Sequence, residues 1–448
     1  MKKYDVIVMG GGSSGLIAAI ASARMGAKTC LIEERGTFGG TNTSALVGPL
    51  VPFIGENKQQ IVDGIPQEMI DRLTEIGGAI GHIDDPIDFA HGLTPVDFKG
   101  LQLIQAQMVN ETENLDVLLH TSVVDVKTVN RNIQSISVQN NFGEHFELSA
   151  SQYIDATGDA DVVTLAGAEV YEGRESDNKS QPMTMCFNLG NVDLDRVRDD
   201  VQNNPQNFAV SDAIANGQRM DYVAISGYFD EVRNSDSFPI ERDRLLFFQG
   251  VREGEVGVNT TRILDKSSLN PNELIEAELE GQKQVYALFN WLRHNIPAFK
   301  DAYIKDIGTI GVRESRHLVG RKTLTEMDVL AGKSQEKSIA VGSYPIDIHS
   351  PDSSMMEFLE ENIVRNFEID LEMLMPKNLD NVLVAGRPIS ATHQAHAASR
   401  VSVTCMAIGQ SAGIVCALAS KQNTLIERLD YQEIKQAIKA MNGIVEAY

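Results

Sequence analysis

Residues 4–33 place apolar, glycine-rich and small residues in an order that predicts a strand, a helix and a second strand. The apolar run 6–9 is typical of a buried strand. A glycine-rich segment follows at 10–15, and small residues continue at Ala18, Ala19 and Ser22. A second apolar run ends at Glu33. The pattern therefore predicts a βαβ unit whose first turn is rich in glycine.

The glycine-rich turn has the residues that a dinucleotide-binding turn needs. Gly10 permits a tight turn, Gly12 lets the backbone approach a pyrophosphate, and Gly15 lets the helix pack near the sheet. The positive end of the helix dipole would face the phosphates, and Glu33 would accept hydrogen bonds from ribose hydroxyls. That acid argues against a 2′-phosphate. The alternative is an ordinary turn, but the strand, helix and acid around it favour a nucleotide.

Beyond this unit, the chain predicts a loop, helices and a return to the first sheet. Segment 35–52 is rich in Gly, Thr, Asn and Ser, which suits a loop over a ligand. Helices are predicted near 66–77 and 95–113. Short β-rich runs then predict a meander at 117–119, 123–129, 133–138, 146–148 and 153–155.

The middle third predicts strands and one long helix, which we interpret as a substrate lobe. The strands are predicted at 183–189, 245–249 and 256–263. Asn270 caps the helix and Pro271 takes its first position. Its predicted apolar face consists of Ile275, Leu279, Tyr286, Phe289 and Leu292. Near the C-terminus, a strand at 382–385 and a long helix at 398–419 repeat the order of the opening unit.

Composition narrows the class of protein. A chain of 448 residues is expected to form two or three lobes. The net charge of −23 disfavours nucleic acid and anionic membranes as partners. The N-terminus leaves no room for a signal peptide, and no uncharged apolar stretch spans a bilayer, so we expect a cytoplasmic protein. The four cysteines form no CxxC motif, so no metal cluster or redox dithiol is expected.

Several motifs along the chain carry a family likeness. They lie at 10–15 with Glu33, 39–41, 154–161, 385–387 and 407–413. Together they resemble the FAD-dependent oxidoreductases of glutathione-reductase-like fold. The segments 311–316, 344–349 and 390–393 look like a narrower bacterial family of FAD-dependent oxidoreductases whose chemistry is poorly defined.

The resemblance implies an α/β fold with a doubly wound, Rossmann-like FAD-binding domain of glutathione-reductase type. This domain would comprise residues 1–170 and 375–448, with a β-meander insertion. Residues 171–374 would form a mixed α/β substrate or cap lobe. The N-terminus of the final helix would point at the pyrimidine end of the flavin.

FAD is the implied cofactor, and no metal is expected. The implied FAD-binding residues are Gly10, Gly12, Ser13, Ser14, Gly15, Glu33, Gly40, Thr41, Ser44, Val123, Ala156, Thr157, Gly158, Gly386, Gly409, Gln410, Ser411 and Ala412. One position departs from the broader superfamily, since Arg387 follows Gly386 where an acid often binds a ribityl hydroxyl. A second GxGxxG unit for NAD(P)H is also absent from the sequence.

Hydride transfer by a flavin needs a group that moves a proton and a group that holds the polar end of the substrate. Arg316 is a candidate to polarise the substrate, although an ion-paired surface role is an equal alternative. His349 alternates with Asp347 on a strand, so the acid could orient the imidazole that exchanges the proton. A structural hydrogen-bonded pair is the alternative there.

His396 and Arg400 form the third candidate pair. Their spacing places them on one helix face, and it is similar to the His and Arg that hold the substrate carboxylate in fumarate-reductase-like flavoproteins. Capping is the alternative role, but cations at a helix N-terminus are unfavourable. Metal ligation by these histidines is disfavoured because no Cys or close carboxylate accompanies them at the usual spacing.

The sequence thus predicts a flavoenzyme that exchanges a hydride between flavin N5 and a small polar substrate, oxygenated or carboxylate-bearing. Two alternatives stay open. One is a flavin electron carrier or redox-sensing subunit that acts with a protein partner, and the other is an oxidase that uses dioxygen. The electron donor or acceptor, the substrate, and whether the chain forms a homo-oligomer are not set by the sequence.

Overall fold

Parallel strands form the sheet at the centre of the protein, which we describe from a computed structural model for residues 2–352, 356–357 and 364–447. In spatial order they are β3 (Leu115–Leu118), β2 (Thr29–Ile32), β1 (Lys2–Met9), β6 (His145–Asp155) and β19 (Val382–Val384). Strand β5 (Asn132–Asn140) pairs antiparallel with the first half of β6, and β4 (Thr121–Val129) pairs antiparallel with β5, so the three form a meander. The α/β fold is therefore confirmed.

Helix α1 (Ser13–Arg24) follows β1 directly and packs closely on the sheet. Gly10 has a φ of 96°, a left-handed conformation that favours glycine. A Cβ at Gly15 would lie 1.9 Å from the carbonyl oxygen of Gly10, so a side chain there would force the helix off the turn. These two glycines are required by backbone geometry, as the sequence predicted.

Helix α11 (Ser402–Gln422) packs on α1 through a seam of small residues. A Cβ at Gly409 would lie 2.1 Å from the carbonyl oxygen of Ser14, and one at Gly413 would lie 2.2 Å from that of Ala18. The helix is long and apolar enough to cross a membrane, but 83% of its most apolar window is buried inside the protein. The expectation that no apolar stretch reaches this length is thus wrong, and its burial is that of a core helix.

A second, antiparallel sheet forms a separate hydrophobic core. Its strands are, in spatial order, β13 (Tyr303–Ile307), β8 (Phe187–Gly190), β12 (Val256–Val258), β11 (Leu245–Gln249), β10 (Ala224–Gly227) and β9 (Phe208–Ala209). The buried apolar residues of this core run from Met183 to Ile310. The domain boundaries at 170 and 374 stay predictions, and apolar residues from Leu324 to Met375 pack in the same core as α1 and α11.

Helix α8 (Pro271–Asn295) crosses this second core with a face that differs from the predicted one. Ile275, Leu279 and Tyr286 are 59%, 62% and 69% exposed. The buried face instead includes Ala277 and Gly281, where a Cβ would lie 3.0 Å from the Met185 side chain. The prediction was wrong for these three residues, whereas Leu292 is buried as predicted. The first half of the helix contacts the sheet through small residues, which a count of large apolar side chains ignores.

The remaining elements surround these two sheets. The helices are α2 (Ile65–Glu75), α3 (Phe98–Glu111), α4 (Asp161–Leu165), α5 (Leu194–Asn203), α6 (Asp212–Ala215), α7 (Phe229–Arg233), α9 (Glu326–Leu330), α10 (His393–Ser399) and α12 (Tyr431–Ala440). Two-stranded sheets are formed by β7 (Val170–Glu172) with β14 (Arg316–Leu318), β15 (Ser338–Gly342) with β18 (Phe367–Asp370), and β16 (Ile348–His349) with β17 (Met356–Glu357).

Three further sequence predictions need correction. The run 117–119 belongs to β3, a parallel edge strand rather than part of the meander. The runs 146–148 and 153–155 are one strand, β6, because its first half pairs with the meander and its second half with the parallel sheet. The helix predicted at 398–419 is divided, since α10 ends at Ser399 and α11 begins at Ser402.

Candidate functional site

A cavity of about 760 Å³ lies where four parallel strands end. Its wall includes the residues that directly follow β1, β2, β6 and β19, namely Gly10, Glu33, Ala156 and Ala385. Ligands of open α/β sheets bind at this carboxyl edge, because the loops diverge there and leave a crevice. The volume is in the range of small-molecule and cofactor sites.

The N-terminus of α1 faces the cavity and suits an anion. Gly12 is the residue before the helix, no side chain caps it, and its first turn holds no acid. A Cβ on Gly12 would have no heavy atom within 4 Å, although the residue lines the cavity. Ser13 and Ser14 line the same wall. The free space and the uncapped N–H groups fit a pyrophosphate, so this turn has the geometry that a bound dinucleotide requires.

The loop after α1 and β2 packs against the glycine-rich turn. The N–H group of Gly39 donates to the carbonyl oxygen of Gly11 at 2.9 Å, and the Ser13 hydroxyl donates to Asn42 Oδ1 at 2.6 Å. Gly40 and Thr41 consequently line the cavity. Ser44 does not line it, and its carbonyl oxygen accepts a hydrogen bond from the Thr309 N–H group.

Glu33 lies at the opposite end of this wall. Its Oε2 accepts a hydrogen bond of 2.6 Å from the Gly11 N–H group, and its Oε1 accepts one of 2.8 Å from Arg35. Burial raises the pKa of this carboxyl group above its usual value, while the two N–H donors oppose the rise. Val123 lines the cavity nearby. The acid is held in place by the turn itself, and its remaining lone pairs are available to ribose hydroxyls.

The N-terminus of α11 provides a second positive helix end, but at different residues from those predicted. Val401, Ser402 and Cys405 line the cavity, and no side chain caps the helix. Gly409, Gln410, Ser411 and Ala412 lie two or three turns further along and do not line it.

Two of these four residues bind other parts of the protein. Gln410 accepts a hydrogen bond of 2.8 Å from the Ile65 N–H group, and Ser411 donates one of 2.6 Å to Ile339. Gly409 packs on α1, as described above. The flavin contact predicted at these four residues stays a prediction, and the residues of α11 that line the cavity come earlier in the chain.

The loop after β6 is fixed by its own acid. Asp155 accepts hydrogen bonds from the Thr157 hydroxyl at 2.7 Å and from the Val163 N–H group at 2.9 Å. Ala156, Thr157 and Gly158 line the cavity, and Gly386 does so from the loop after β19.

Arg387 is the residue that departs from the superfamily pattern, and it also lines the cavity. It donates to Asp159 Oδ1 at 2.6 Å and to the Val312 carbonyl oxygen at 2.8 Å. It thereby connects the loops after β6 and β19.

Arg316 lines the cavity but is held by partners. Its Nη1 lies 2.6 Å from Asp161 Oδ1 and donates to the carbonyl oxygen of Asp159 at 2.9 Å. The alternative that the sequence kept open, an ion-paired role, therefore describes the geometry of this side chain, with Asp161 as the partner in place of Glu314 and Glu326.

Arg400, Asp347 and His349 lie together at the end of the cavity next to α11. Asp347 Oδ2 is 3.3 Å from His349 Nε2 and 3.9 Å from Arg400 Nη2. Gln181 Oε1 accepts a hydrogen bond from the backbone N–H group of His349 at 3.3 Å and one from Arg400 Nη2 at 3.4 Å. Arg400 lines the cavity, while the His349 ring is 5% exposed and lies behind it. The predicted pairing of Asp347 with His349 is thus present.

Arg313, Arg242 and Tyr344 belong to this group as well, although the sequence analysis assigned them no role. Arg313 and Tyr344 line the cavity, and Arg313 donates to the Pro182 carbonyl oxygen at 2.6 Å. Burial and the charges of Arg400 and Arg242 lower the pKa of Arg313 to about 9, so it is charged at neutral pH. Tyr344 shares the motif 344–349 with His349, which was a usable signal. Arg242 has no such signal because the second sheet brings it here.

His396 lies outside the cavity, in a buried cluster of its own. It is fully buried, and its ring lies 4.4 Å from that of His317. Glu314 Oε1 is 2.8 Å from His317 Nε2 and 2.8 Å from His393 Nδ1. Ligand atoms of Glu314, His317 and His396 lie within 4.8 Å of one another, a grouping of metal-ligand residue types that the sequence spacing did not show. The expectation of no metal stays a prediction.

The geometry and the motifs agree with a match to a known family. The chain belongs to the FAD-dependent oxidoreductase family, which it matches over residues 5–438. FAD is accordingly its cofactor, and the protein is a flavoenzyme. The residues at the cavity fit this group, since the uncapped α1 N-terminus, the open space at Gly12 and the buried Glu33 suit a dinucleotide.

Curated relatives resemble only part of the chain. Thiamine thiazole synthase of Saccharolobus islandicus is 29% identical over 169 residues, which are 38% of this chain and 60% of that protein. Dihydrolipoyl dehydrogenase of Trypanosoma brucei brucei is 55% identical over 38 residues, or 8% of each chain. These matches span less than two thirds of the relatives' own length, so their activities are not carried over to this protein.

Solved structures resemble the whole chain at low identity. A geranylgeranyl bacteriochlorophyll reductase-like protein of Thermoplasma acidophilum has a TM-score of 0.42 and 15% identity, covering 100% of this chain and 85% of that one. The myxobacterial chondrochloren halogenase, which is FAD-dependent, has a TM-score of 0.46 and 13% identity, covering 98% and 79%.

Proposed function

We propose that the protein is an FAD-dependent dehydrogenase or reductase that exchanges a hydride with a small carboxylate-bearing substrate. The observation that carries the proposal is the position of Arg400 and Arg313, which line the same cavity as the two helix N-termini. A guanidinium binds a carboxylate with two parallel hydrogen bonds. The substrate would therefore be oriented at one end of the cavity while the dinucleotide occupies the other.

The residues that would hold FAD divide between the two ends of the chain. Gly12, Ser13 and the α1 N-terminus would bind the pyrophosphate, and Glu33 would bind the adenosine ribose. The N-terminus of α11 at Val401 and Ser402 would stabilise negative charge at the pyrimidine end of the flavin. When bound there, FAD supplies an acceptor or donor of hydride at N5.

The side chains near Arg400 would position the substrate and move its proton. Arg400 and Arg313 would hold the carboxylate. His349, oriented by Asp347 behind the cavity wall, would exchange the proton that accompanies the hydride without direct contact with the substrate. Arg316 would keep the cavity wall in place through Asp161, in place of the polarising role that the sequence suggested. Because His396 does not line the cavity, we give it no contact with the substrate.

A panel of substrates tested without oxygen examines this proposal. The holoenzyme is mixed anaerobically with hydroxy acids, sugars and enoates, and flavin absorbance is recorded for the oxidised and the pre-reduced protein. We expect a carboxylate-bearing compound to bleach or restore the flavin. Bleaching by uncharged sugars alone would contradict the carboxylate assignment, and no reaction with any small molecule would favour an electron carrier.

Air and one variant complete the experiment. Readmission of air after bleaching distinguishes the classes, because rapid recovery with formation of peroxide indicates an oxidase. Arg400→Ala should slow the reaction of the active carboxylate without loss of bound FAD. Arg219→Gln, an exposed arginine on the second lobe, is the matched control and should leave the rate unchanged.

A further inference from the structure

We propose that the pocket next to Arg400 selects a dianion, a small molecule with two carboxylates separated by a short carbon chain, and that Arg313 and Arg242 determine this selectivity. The inference rests on the proposed function for the assignment of this cavity end to the substrate. It goes beyond that function because it sets the number of charges and names the residues that read them.

The positive charges of this group exceed the negative ones. Arg400 lies 3.9 Å from Asp347, Arg313 lines the same cavity, and the charges of Arg400 and Arg242 act on Arg313. Arg262, Arg244 and Asp243 act on Arg242 as well, and Asp85 also lines the cavity. His349 adds no charge of its own at neutral pH, since burial and the charges of Arg313 and Arg242 hold its pKa well below the usual value. The guanidinium groups of this cluster outnumber its buried carboxylates, and the carboxylates of a ligand would offset the excess.

Several polar atoms of this group have no hydrogen-bond partner among the described residues. They are Arg242 Nη2, Arg400 Nε, Gln181 Nε2 and His349 Nδ1. Arg242 is 7% exposed and Gln181 is 1% exposed, so these donors are shielded from bulk water. Buried donors without partners are unfavourable. Arg400 is the residue of this set that lines the cavity, where a carboxylate would accept hydrogen bonds from its guanidinium group.

The remaining wall suits a carbon skeleton better than an inorganic ion. Val51, Leu93 and Phe248 line the cavity and pack as one apolar group. An apolar wall beside a cationic end is typical of pockets for small organic acids, because the wall contacts carbon atoms while the cations bind the carboxylates. The surface of the protein is acidic overall, so the internal excess of positive charge is local to this pocket.

A series of ligands with constant size and decreasing charge tests the inference. Glutarate, its monoamide and its diamide are titrated into the holoenzyme at neutral pH, and binding is read from the perturbation of flavin absorbance and from the melting temperature. We expect glutarate to bind at least about 10-fold more tightly than the monoamide, because each charge-assisted hydrogen bond to a buried cation is strong. The diamide should show no binding.

Variants assign the selectivity to named residues. Arg313→Gln and Arg242→Gln should each reduce the ratio of glutarate to monoamide affinity towards one, while the monoamide affinity changes less. Arg219→Gln is the surface control and should leave the ratio unchanged. The ligand series on the unaltered holoenzyme tests the preference for a dianion, and an unchanged affinity ratio in a folded glutamine variant would contradict the assignment to that residue.

Three results would overturn the inference. They are equal affinity for glutarate and its monoamide, sulfate binding as tightly as glutarate, and no binding of succinate, glutarate or adipate. The inference and the proposed function fail separately. Selective binding of a dicarboxylate without flavin bleaching by any carboxylate would support the dianion pocket and contradict hydride transfer, whereas bleaching by monocarboxylates with no charge selectivity would do the reverse.

Discussion

Arg400 and Asp347 meet at the end of the cavity, with Nη2 3.9 Å from Oδ2 and 3.4 Å from the Asp347 carbonyl oxygen. The same carboxylate lies 3.3 Å from His349. Asp347 therefore orients two groups, a cation that lines the cavity and a histidine behind it. The arrangement couples the position of the substrate to the position of the group that would carry its proton.

Truncation of Arg400 should be costly. In Arg400→Ala, the substrate carboxylate loses the guanidinium group that would bind it, and Asp347 loses one neighbouring cation. Removal of one partner of a buried charge pair typically costs about 2–5 kcal/mol. We expect kcat/KM for the active carboxylate to fall by at least about 30-fold, since 1.4 kcal/mol is a factor of ten. Arg400→Lys should restore only part of it. Unchanged turnover in the alanine variant would remove Arg400 from the site.

A methyl group at Gly12 should prevent cofactor binding without unfolding the protein. The Cβ of Gly12→Ala would project into free space that we assign to the pyrophosphate. We expect a folded protein by circular dichroism that contains little or no FAD after reconstitution. Gly15→Ala is the contrasting variant, because its Cβ would collide with the Gly10 carbonyl and reduce stability itself. Full FAD content in Gly12→Ala would refute the placement of the pyrophosphate.

Binding of a dicarboxylate should be accompanied by uptake of a proton. Burial, together with the charges of Arg313 and Arg242, lowers the pKa of His349 to about 3, whereas Asp347 opposes this. A bound dianion offsets the arginines, so the pKa of His349 rises, and binding takes up protons at the acidic pH values between the free and the bound pKa. Calorimetry in buffers with different heats of ionisation measures the proton directly. His349→Gln should abolish the uptake, and a binding heat independent of buffer in the unaltered protein would contradict the coupling.

His396 should make the protein sensitive to acid. Burial, with the charge of His317 next in size, lowers its pKa well below 6.5 in the folded state. Below about pH 6.5 the unfolded chain therefore binds more protons than the folded one, so the free energy of unfolding falls as pH falls, by up to about 1.4 kcal/mol per pH unit for one histidine. Urea unfolding of His396→Gln across this range should show a smaller pH-dependent loss than the unaltered protein. Identical slopes would exclude His396 as the cause.

The sequence predicted best the features that depend on neighbouring residues. The turn at 10–15 is one such feature, because a side chain at Gly10 or Gly15 would collide with the adjacent backbone. The predicted pair of Asp347 and His349 is another, since the two residues are separated by one position in the chain, although Asp347 lies just before β16 and not within it.

The sequence did not predict the features that depend on packing between elements far apart in the chain. Arg242 reaches the cavity group only through the second sheet, and no spacing in the sequence relates it to Arg400. The start of α11 was misplaced because both its first and its middle turns consist of small and apolar residues. The buried face of α8 was misjudged for a related reason, since close approach to Met185 requires Gly281 rather than a large side chain.

Because α1 and α11 pack through small residues, substitutions in this helix contact should impair cofactor binding at positions that do not line the cavity. One extra carbon on Gly413 would wedge against Ala18 three turns below the cavity, and the two helices could then no longer lie side by side. The N-termini of both helices face the cavity, so separation of the helices would move apart the two positive helix ends that would bind FAD. Replacement of Gly413 by a larger residue should thus yield a purified protein that has lost its FAD and its yellow colour, although residue 413 does not line the cavity.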